Sequence, residues 1–376
     1  MPIYLDNNAT TAIDPAFIEQ LSQFLSSAPM NPSSVHANGQ EAKKILLSCR
    51  HLIAEYLGVS PREITFTSGG TESMNSLIFG IVKSQPFDQI LTTKIEHACV
   101  YESCIELKKQ HYPVEFISLE GAPTLSCELL KKAIKKEKIC IITSSVNSET
   151  GALLPLEELA SFAQSIKATL IIDGVAHLGK APLQLYPGIA AMGFSSHKIH
   201  APKGAGFYYL KESTPFQKLL FGGFQESGKR AGTENLFAIF GLKLAIEKLQ
   251  KERTSIFSHL QSLKESFLKT LDIENTSYEQ NAPFSSISNT LNLHFKGICA
   301  ETLLILLDQN QILTSMGSAC ASGALEPSRV LLELGFSKAR AKSSLRISFS
   351  RLNTIEEVKI AAKKLSELLQ QLSILK

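Results

Sequence analysis

The chain has 376 residues, 44% of them hydrophobic and 19% charged, with 38 Lys and Arg against 35 Asp and Glu for a formal net charge of +3. That length supports a large core and about two to three domains, and so mild a charge argues against nucleic acid or a membrane surface as partner. The seven cysteines, Cys49, Cys99, Cys104, Cys127, Cys140, Cys299 and Cys320, are scattered; without paired short spacings they predict neither a disulfide framework nor a zinc site, and a reduced, cytoplasmic protein is expected.

The opening "MPIYLDNNATT" lacks the basic region and apolar run of a secretory signal, and no apolar stretch approaches the roughly 18 residues of a membrane span. Between residues 60 and 210, short β-rich runs alternate with helical patterns. The runs are "EITFTSG" (63–69), "QILTT" (89–93), "VEFISL" (114–119), "ICIITSSV" (139–146), "TLIIDG" (169–174), "IAAMGFSS" (189–196) and "GAGFYYL" (204–210). Several are apolar throughout, as strands covered on both faces are. Between them "TESMNSLIFGIVK" and "LEELASFAQSIK" are amphipathic, and "KKAIKKEK" (131–138) reads as the solvated face of one helix. Alternating β and α elements predict an α/β domain with a mostly parallel sheet, whose ligands gather at the carboxyl ends of the strands.

Several side chains fall at such strand ends. In "FTSGGTESMN" a strand and a Gly pair lead into a helix, so Gly70, Thr71 and the first free N–H groups form an anion cradle or a plain helix cap. His97 in "EHACV" follows another strand, and Asp173 ends the apolar "TLIID"; each is either a structural residue or a cleft residue. In "GFSSHKIHAPKGAG", Ser195, His197 and Lys198 follow an apolar strand. A lysine in that setting is a candidate Schiff-base nucleophile, provided the site lowers its proton affinity; Lys203, in the turn, is the competitor. The Gly-rich "FGGFQESGKRAGTEN" (221–235) is either a flexible surface loop or a phosphate contact through Thr233.

From about residue 234 the pattern changes. A long helical stretch runs through "KESFLKTL", followed by "SNTLNLHF", the helix "AETLLILLDQN", the stretch "SMGSACASGALEP" (315–327), "SSLRISFS" and a last helix from 354. This predicts a smaller α+β domain. Arg346 suits bidentate capture of a carboxylate, the alternative being a surface salt bridge. Cys320, among Gly, Ser and Ala, is a reagent, a metal ligand or a filler residue.

Taken in order, these motifs, with "YLDNNATT", "NPSSVHANGQ", "SHKIHAPKGAG" and "GSACASGALEPSRVL", resemble the cysteine desulfurases of the NifS/IscS branch, in the aminotransferase class V group of pyridoxal-phosphate enzymes. The resemblance spans nearly the whole chain. It implies a fold type I enzyme with a large domain over 13–254 and a small domain of 1–12 and 255–376. It implies that Lys198 carries pyridoxal 5'-phosphate, that Asp173 pairs with its ring nitrogen and that His97 stacks on the ring. Gly70, Thr71, Ser195 and His197 would hold the phosphate, with Thr233 from the partner subunit of a homodimer. Asn31 and Arg346 would bind the L-cysteine carboxylate, and Cys320, on a mobile loop, would take sulfur for an iron–sulfur scaffold or other acceptor.

Two positions depart from the family pattern inside this site. A second Asn is usual where Ser148 stands, and Gln where Ala176 stands. Both missing side chains are expected to hydrogen-bond the ring hydroxyl of the cofactor, leaving Ser148 and His177 as nearby replacements. Their loss favours, as the alternative to an active desulfurase, a protein with weak or altered activity: another amino-acid lyase, one acting on selenocysteine, or a partner-binding role.

Overall fold

The computed structural model describes residues 2–27, 30–119, 121–282, 286–317 and 327–374. After a short strand, β1 (Ile3–Tyr4), come two helices, α1 (Ile18–Leu25) and α2 (Ala37–Leu57). The alternating region then becomes seven strands: β2 (Ile64–Thr67), β3 (Gln89–Thr93), β4 (Val114–Ile117), β5 (Ile139–Ser144), β6 (Thr169–Asp173), β7 (Ile189–Ser195) and β8 (Gly206–Leu210). They form one sheet in the order β2-β8-β7-β6-β5-β3-β4, parallel except that β8 is antiparallel to both neighbours. The mostly parallel α/β sheet expected from the sequence is thus present. Strands β3 and β8, in the interior of the sheet, are buried along their whole length, which is why their sequences do not alternate.

The connecting helices are α3 (Gly70–Val82), α4 (Ala98–Lys109), α5 (Cys127–Ala133) and α6 (Leu156–Ser165). The basic run 131–138 is only partly helical. Helix α5 ends at Ala133, because Ile134 is already extended (ψ 122°). The following residues descend to β5, with the Lys135 N–H donating to Gln89 Oε1 and the Lys138 N–H to Asp88 Oδ2. The strand's fixed start at Ile139 cuts the helix short.

Helix α7 (Leu236–Ile273) packs against α2 and against the last helix, so it couples the two ends of the chain. Its buried Leu242, Ala245, Ile246 and Leu249 recur at helical spacing. Each large one contributes roughly 1.5–3 kcal/mol by burial. Beyond it, β9 (Glu279–Gln280), β10 (Thr290–His294) and, later, β12 (Ser344–Ser348) make a three-stranded antiparallel sheet in the order β12-β10-β9. Between β10 and β12 come α8 (Ala300–Gln309), β11 (Ile312–Leu313), α9 (Arg329–Glu333) and α10 (Lys338–Lys342). The chain closes with α11 (Ile355–Ile374), preceded by Thr354 and Glu357 in a reciprocal cap: Thr354 N–H donates to the Glu357 carboxylate and Glu357 N–H to Thr354 Oγ1. Strand β1 pairs in parallel with β11, which ties the N-terminus to this second layer.

The Gly-rich segment 221–235 is anchored rather than free. Glu226 is buried, and its carboxylate accepts from Arg50 (2.6 and 2.8 Å) and from the Phe66 N–H (2.8 Å) at the start of the sheet. Arg230 forks onto Glu72 of α3 at 2.7 and 3.1 Å. Removing one partner of a buried pair strands the other charge. Glu226→Ala should therefore cost about 3–5 kcal/mol in denaturant unfolding; a loss under about 1 kcal/mol, the size of an exposed pair, would contradict the anchoring.

Candidate active site

The strands β3, β5, β6 and β7 point their carboxyl ends at one cavity of about 190 Å³, roofed by the N-terminal segment. Lys198, Asp173, His97, Gly70, Thr71, Ser195, His197 and Ser148 all line it. Lys203 is not among its lining residues, and Lys198 is, which separates the two candidates geometrically.

Asp173 is the last residue of β6 and is 5% exposed. The single hydrogen bond to its carboxylate among the described residues comes from the Val175 N–H at 2.9 Å. Burial pushes its carboxyl up to about 6, against the opposing effects of that hydrogen bond and of the Lys198 charge. Lys198 sits in the short 3₁₀ turn that follows β7, and its Nζ donates to the backbone carbonyls of Asn8 and Ala9, the latter at 2.9 Å. His97 is the N-cap of α4: Nδ1 accepts from the Cys99 N–H at 3.2 Å and lies 3.0 Å from Cys99 Sγ. Beneath it, buried Glu96 accepts from Thr93, Thr143 and the Ser144 N–H, fixing the end of β3 against β5.

The cavity wall also carries an anion cradle. Helix α3 begins at Gly70, so its first N–H groups are directed here. Among the described residues the buried Ser195 Oγ has no hydrogen-bond partner. A Cβ on Gly70 would stand 2.8 Å from Val175 Cγ2 and 3.3 Å from Ser195 Cβ, so the backbone needs glycine for this approach. His197 Nδ1 meets Thr10 Oγ1 at 3.0 Å. Burial, and then the charges of Lys198, Lys203 and Lys180, lower its pKa to about 4, so at neutral pH it is an uncharged hydrogen-bonding group. A buried hydroxyl without a partner among the described residues, helix N–H groups, a buried carboxylate and a lysine on the walls of one cavity fit a phosphorylated pyridine aldehyde such as pyridoxal phosphate.

The remaining candidates lie elsewhere. Asn31 is exposed, its Oδ1 accepting from the Ser33 N–H in a local turn, and Thr233 is exposed in the anchored loop. Arg346 on β12 is 2% exposed, so it makes no surface salt bridge: it pairs with Asp6 at 2.7 Å and reaches the Ser148 carbonyl at 3.3 Å. Cys320 lies in 318–326, outside the described residues.

The two departures both fall on the cavity wall, since Ser148 and Ala176 line it. His177 does not: Nε2 meets the Pro182 carbonyl at 2.9 Å, and the ring borders a different hollow. Asn147 is engaged in its own turn, accepting from the Glu149 and Thr150 N–H groups and donating to the Ile95 carbonyl. Of the two replacements named from sequence, only Ser148 borders the cavity.

Asn8 and Cys99 lie in the motifs "YLDNNATT" and "EHACV" without a role read from sequence, and Lys180 lies outside the motifs that marked the site. Asn8 Oδ1 accepts from Lys180 and Asn289, and its Nδ2 donates to the Ser148 carbonyl and Thr290. Lys180 is buried with that amide as its partner, and burial, with the Lys198 and Arg346 charges, holds its pKa well below the usual range. Cys99 stands two residues after His97, a spacing visible in "EHACV".

The aminotransferase class-V family profile matches residues 3–360. A putative cysteine desulfurase IscS 1 of Bacillus subtilis is 36% identical, covering 99% of this chain and 99% of the relative. The cysteine desulfurase NifS of Azotobacter vinelandii is 34% identical over 98% of this chain and 93% of its own. A solved NifS-like protein superposes with a TM-score of 0.91 at 31% identity, covering 99% of this chain and 100% of its own.

The raised Asp173 carboxyl has a stability consequence in the cofactor-free chain. Its folded pKa, about 6, exceeds the ordinary 3.8, so the folded state binds more protons between those values. Stability therefore falls as pH rises from about 4 to about 6, by up to about 3 kcal/mol. Asp173→Asn should be more stable than wild type at pH 7 by up to that amount, with the gap closing at pH 4. Denaturant unfolding at the two pH values checks this, and a gap that does not change with pH would contradict it.

Proposed function

The chain belongs to the aminotransferase class-V family and is a pyridoxal-phosphate-dependent cysteine desulfurase of the NifS/IscS type, and on that premise we propose how its residues divide the work. The observation that carries the assignment is the convergence of Lys198, Asp173 and His97 on one cavity that also holds an anion cradle. Lys198 would hold the cofactor, Asp173 its ring nitrogen, and Gly70, Thr71, Ser195 and His197 its phosphate. Bound there, pyridoxal phosphate supplies an electron sink for the charge left at Cα.

The chain's own groups do the rest. Arg346 holds the carboxylate of L-cysteine; Asn31, to which the resemblance gives the same role, stands in an exposed turn that does not line the cavity. The neutral Lys198 amine takes the Cα proton at Nζ, and His97 moves protons above the same centre. The Cys320 thiolate attacks the substrate sulfur; the Cβ–S bond breaks with its electron pair left on carbon, which is protonated, so alanine leaves and Cys320 keeps a persulfide. Ser148 takes the ring-hydroxyl contact that Gln and Asn make elsewhere in the family.

We further propose a division into 13–254 and 1–12 with 255–376, a homodimer in which the partner subunit contributes its Thr233, and a cytoplasmic sulfur acceptor such as an iron–sulfur scaffold. Among the described residues no helix is long and apolar enough to cross a membrane.

Purified protein should absorb in the near-visible through bound cofactor and convert L-cysteine to sulfide and alanine. Lys198→Ala should lose the absorption, while Cys320→Ser should keep it and stop sulfide release. Undiminished sulfide from Cys320→Ser would overturn the acceptor assignment. Restoring the contacts, with Ser148→Asn and Ala176→Gln, should raise turnover by up to about tenfold each. No gain in either variant would show that Ser148 already suffices.

A further inference from the structure

Beside Asp173 and His97, the cavity wall carries a thiol, Cys99, that the desulfurase reaction does not use. Ligand-capable atoms of His97, Cys99 and Asp173 lie within 4.8 Å of one another. They come from two places in the fold: the first residues of α4 and the last residue of β6. His97 and Cys99 are one residue apart and already in contact, Nδ1 to Sγ at 3.0 Å.

A thiolate, an imidazole and a carboxylate are the ligand types of a zinc site with one open position. Zinc bonds of about 2.0–2.3 Å give tetrahedral edges of roughly 3.3–3.8 Å. The widest separation here must therefore close by about 1 Å, within reach of side-chain rotation. The buried Asp173 carboxylate accepts only from a neutral backbone N–H among the described residues, so with the cofactor absent its remaining oxygen can take a cation. All three residues face the cavity, so the open coordination position is directed into it.

We propose that in the cofactor-free chain His97, Cys99 and Asp173 bind one soft divalent cation, of which zinc is the type, and that the cation and the cofactor exclude each other. Coordination replaces the Cys99 thiol proton, which is released; no electron changes hands. The ion occupies the carboxylate and the imidazole that the cofactor ring needs, so each ligand weakens the other by the same factor. The metal site stands on geometry alone, whereas the exclusion rests on the cofactor site proposed above. Its consequence is a sulfur-transfer enzyme whose activation by cofactor is blocked when a thiophilic metal is plentiful.

The test is titration of the full-length, cofactor-free protein with Co²⁺ under a non-thiol reductant. One Co²⁺ per chain and a near-ultraviolet thiolate-to-cobalt band are expected. Cys99→Ala and the size-conserving Cys99→Ser should lose the band while circular dichroism shows an unchanged fold. Asp173→Asn should bind at least tenfold more weakly. A band that persists in both Cys99 variants would place the metal on another thiol, such as exposed Cys299, and overturn the site. Prior loading with pyridoxal phosphate, followed by its own absorption, should prevent Co²⁺ binding. Equal Co²⁺ binding by loaded protein would overturn the exclusion, whereas a chain that takes up no pyridoxal phosphate would instead overturn the cofactor reading.

Discussion

One buried asparagine holds the catalytic end of this molecule in place. Asn8 is 4% exposed and lies in the segment that crosses over the strand ends. Its N–H donates to Ser348 Oγ on β12, its amide reaches Asn289, Thr290, Lys180 and the Ser148 carbonyl, and its own carbonyl receives Lys198. The large sheet, the small sheet and the N-terminus therefore meet through one side chain. A buried network of this kind is stabilising only when every member is satisfied, and here each polar atom of Asn8 has a partner. Lys198 and Ser148, both on the cavity wall, are tied to each other through this one residue.

Much of this was legible in the sequence because burial on both faces leaves an unmistakable mark. The apolar runs that became β3 and β5 to β8 could not be surface strands, and strand ends in such a sheet are where ligands sit. Lys198, Asp173, His97 and the α3 cradle followed from that rule and from the motif order. The basic run 131–138 was misjudged, since its charge pattern carries no information about where β5 has to begin. Asn31 and Thr233 lie away from the cavity within the single chain, a matter of geometry between segments that no local pattern encodes.

The roles of Asn8 and Lys180 were invisible for a different reason. A lysine beside a Gly reads as surface, and only tertiary structure reveals that its amine ends on an asparagine 172 positions away. Cys99 shows a related limit of local pattern. Cysteine spacing alone says nothing of a histidine two residues from Cys99 and an aspartate on another strand whose ligand atoms lie within 4.8 Å of one another.

The buried pair of Arg346 with Asp6 bears on selectivity. A guanidinium already neutralised by a carboxylate of its own chain is not an open cationic trap. An incoming carboxylate must exchange with Asp6 or share the fork, so the net gain from that contact alone is small. Simple organic acids, offering a carboxylate and little else, compete poorly on such terms. An amino acid that also engages Lys198 and brings its sulfur to a thiolate has the additional interactions needed to complete the exchange. The internal counterion thus acts as a threshold, admitting ligands by the sum of their contacts rather than by their charge.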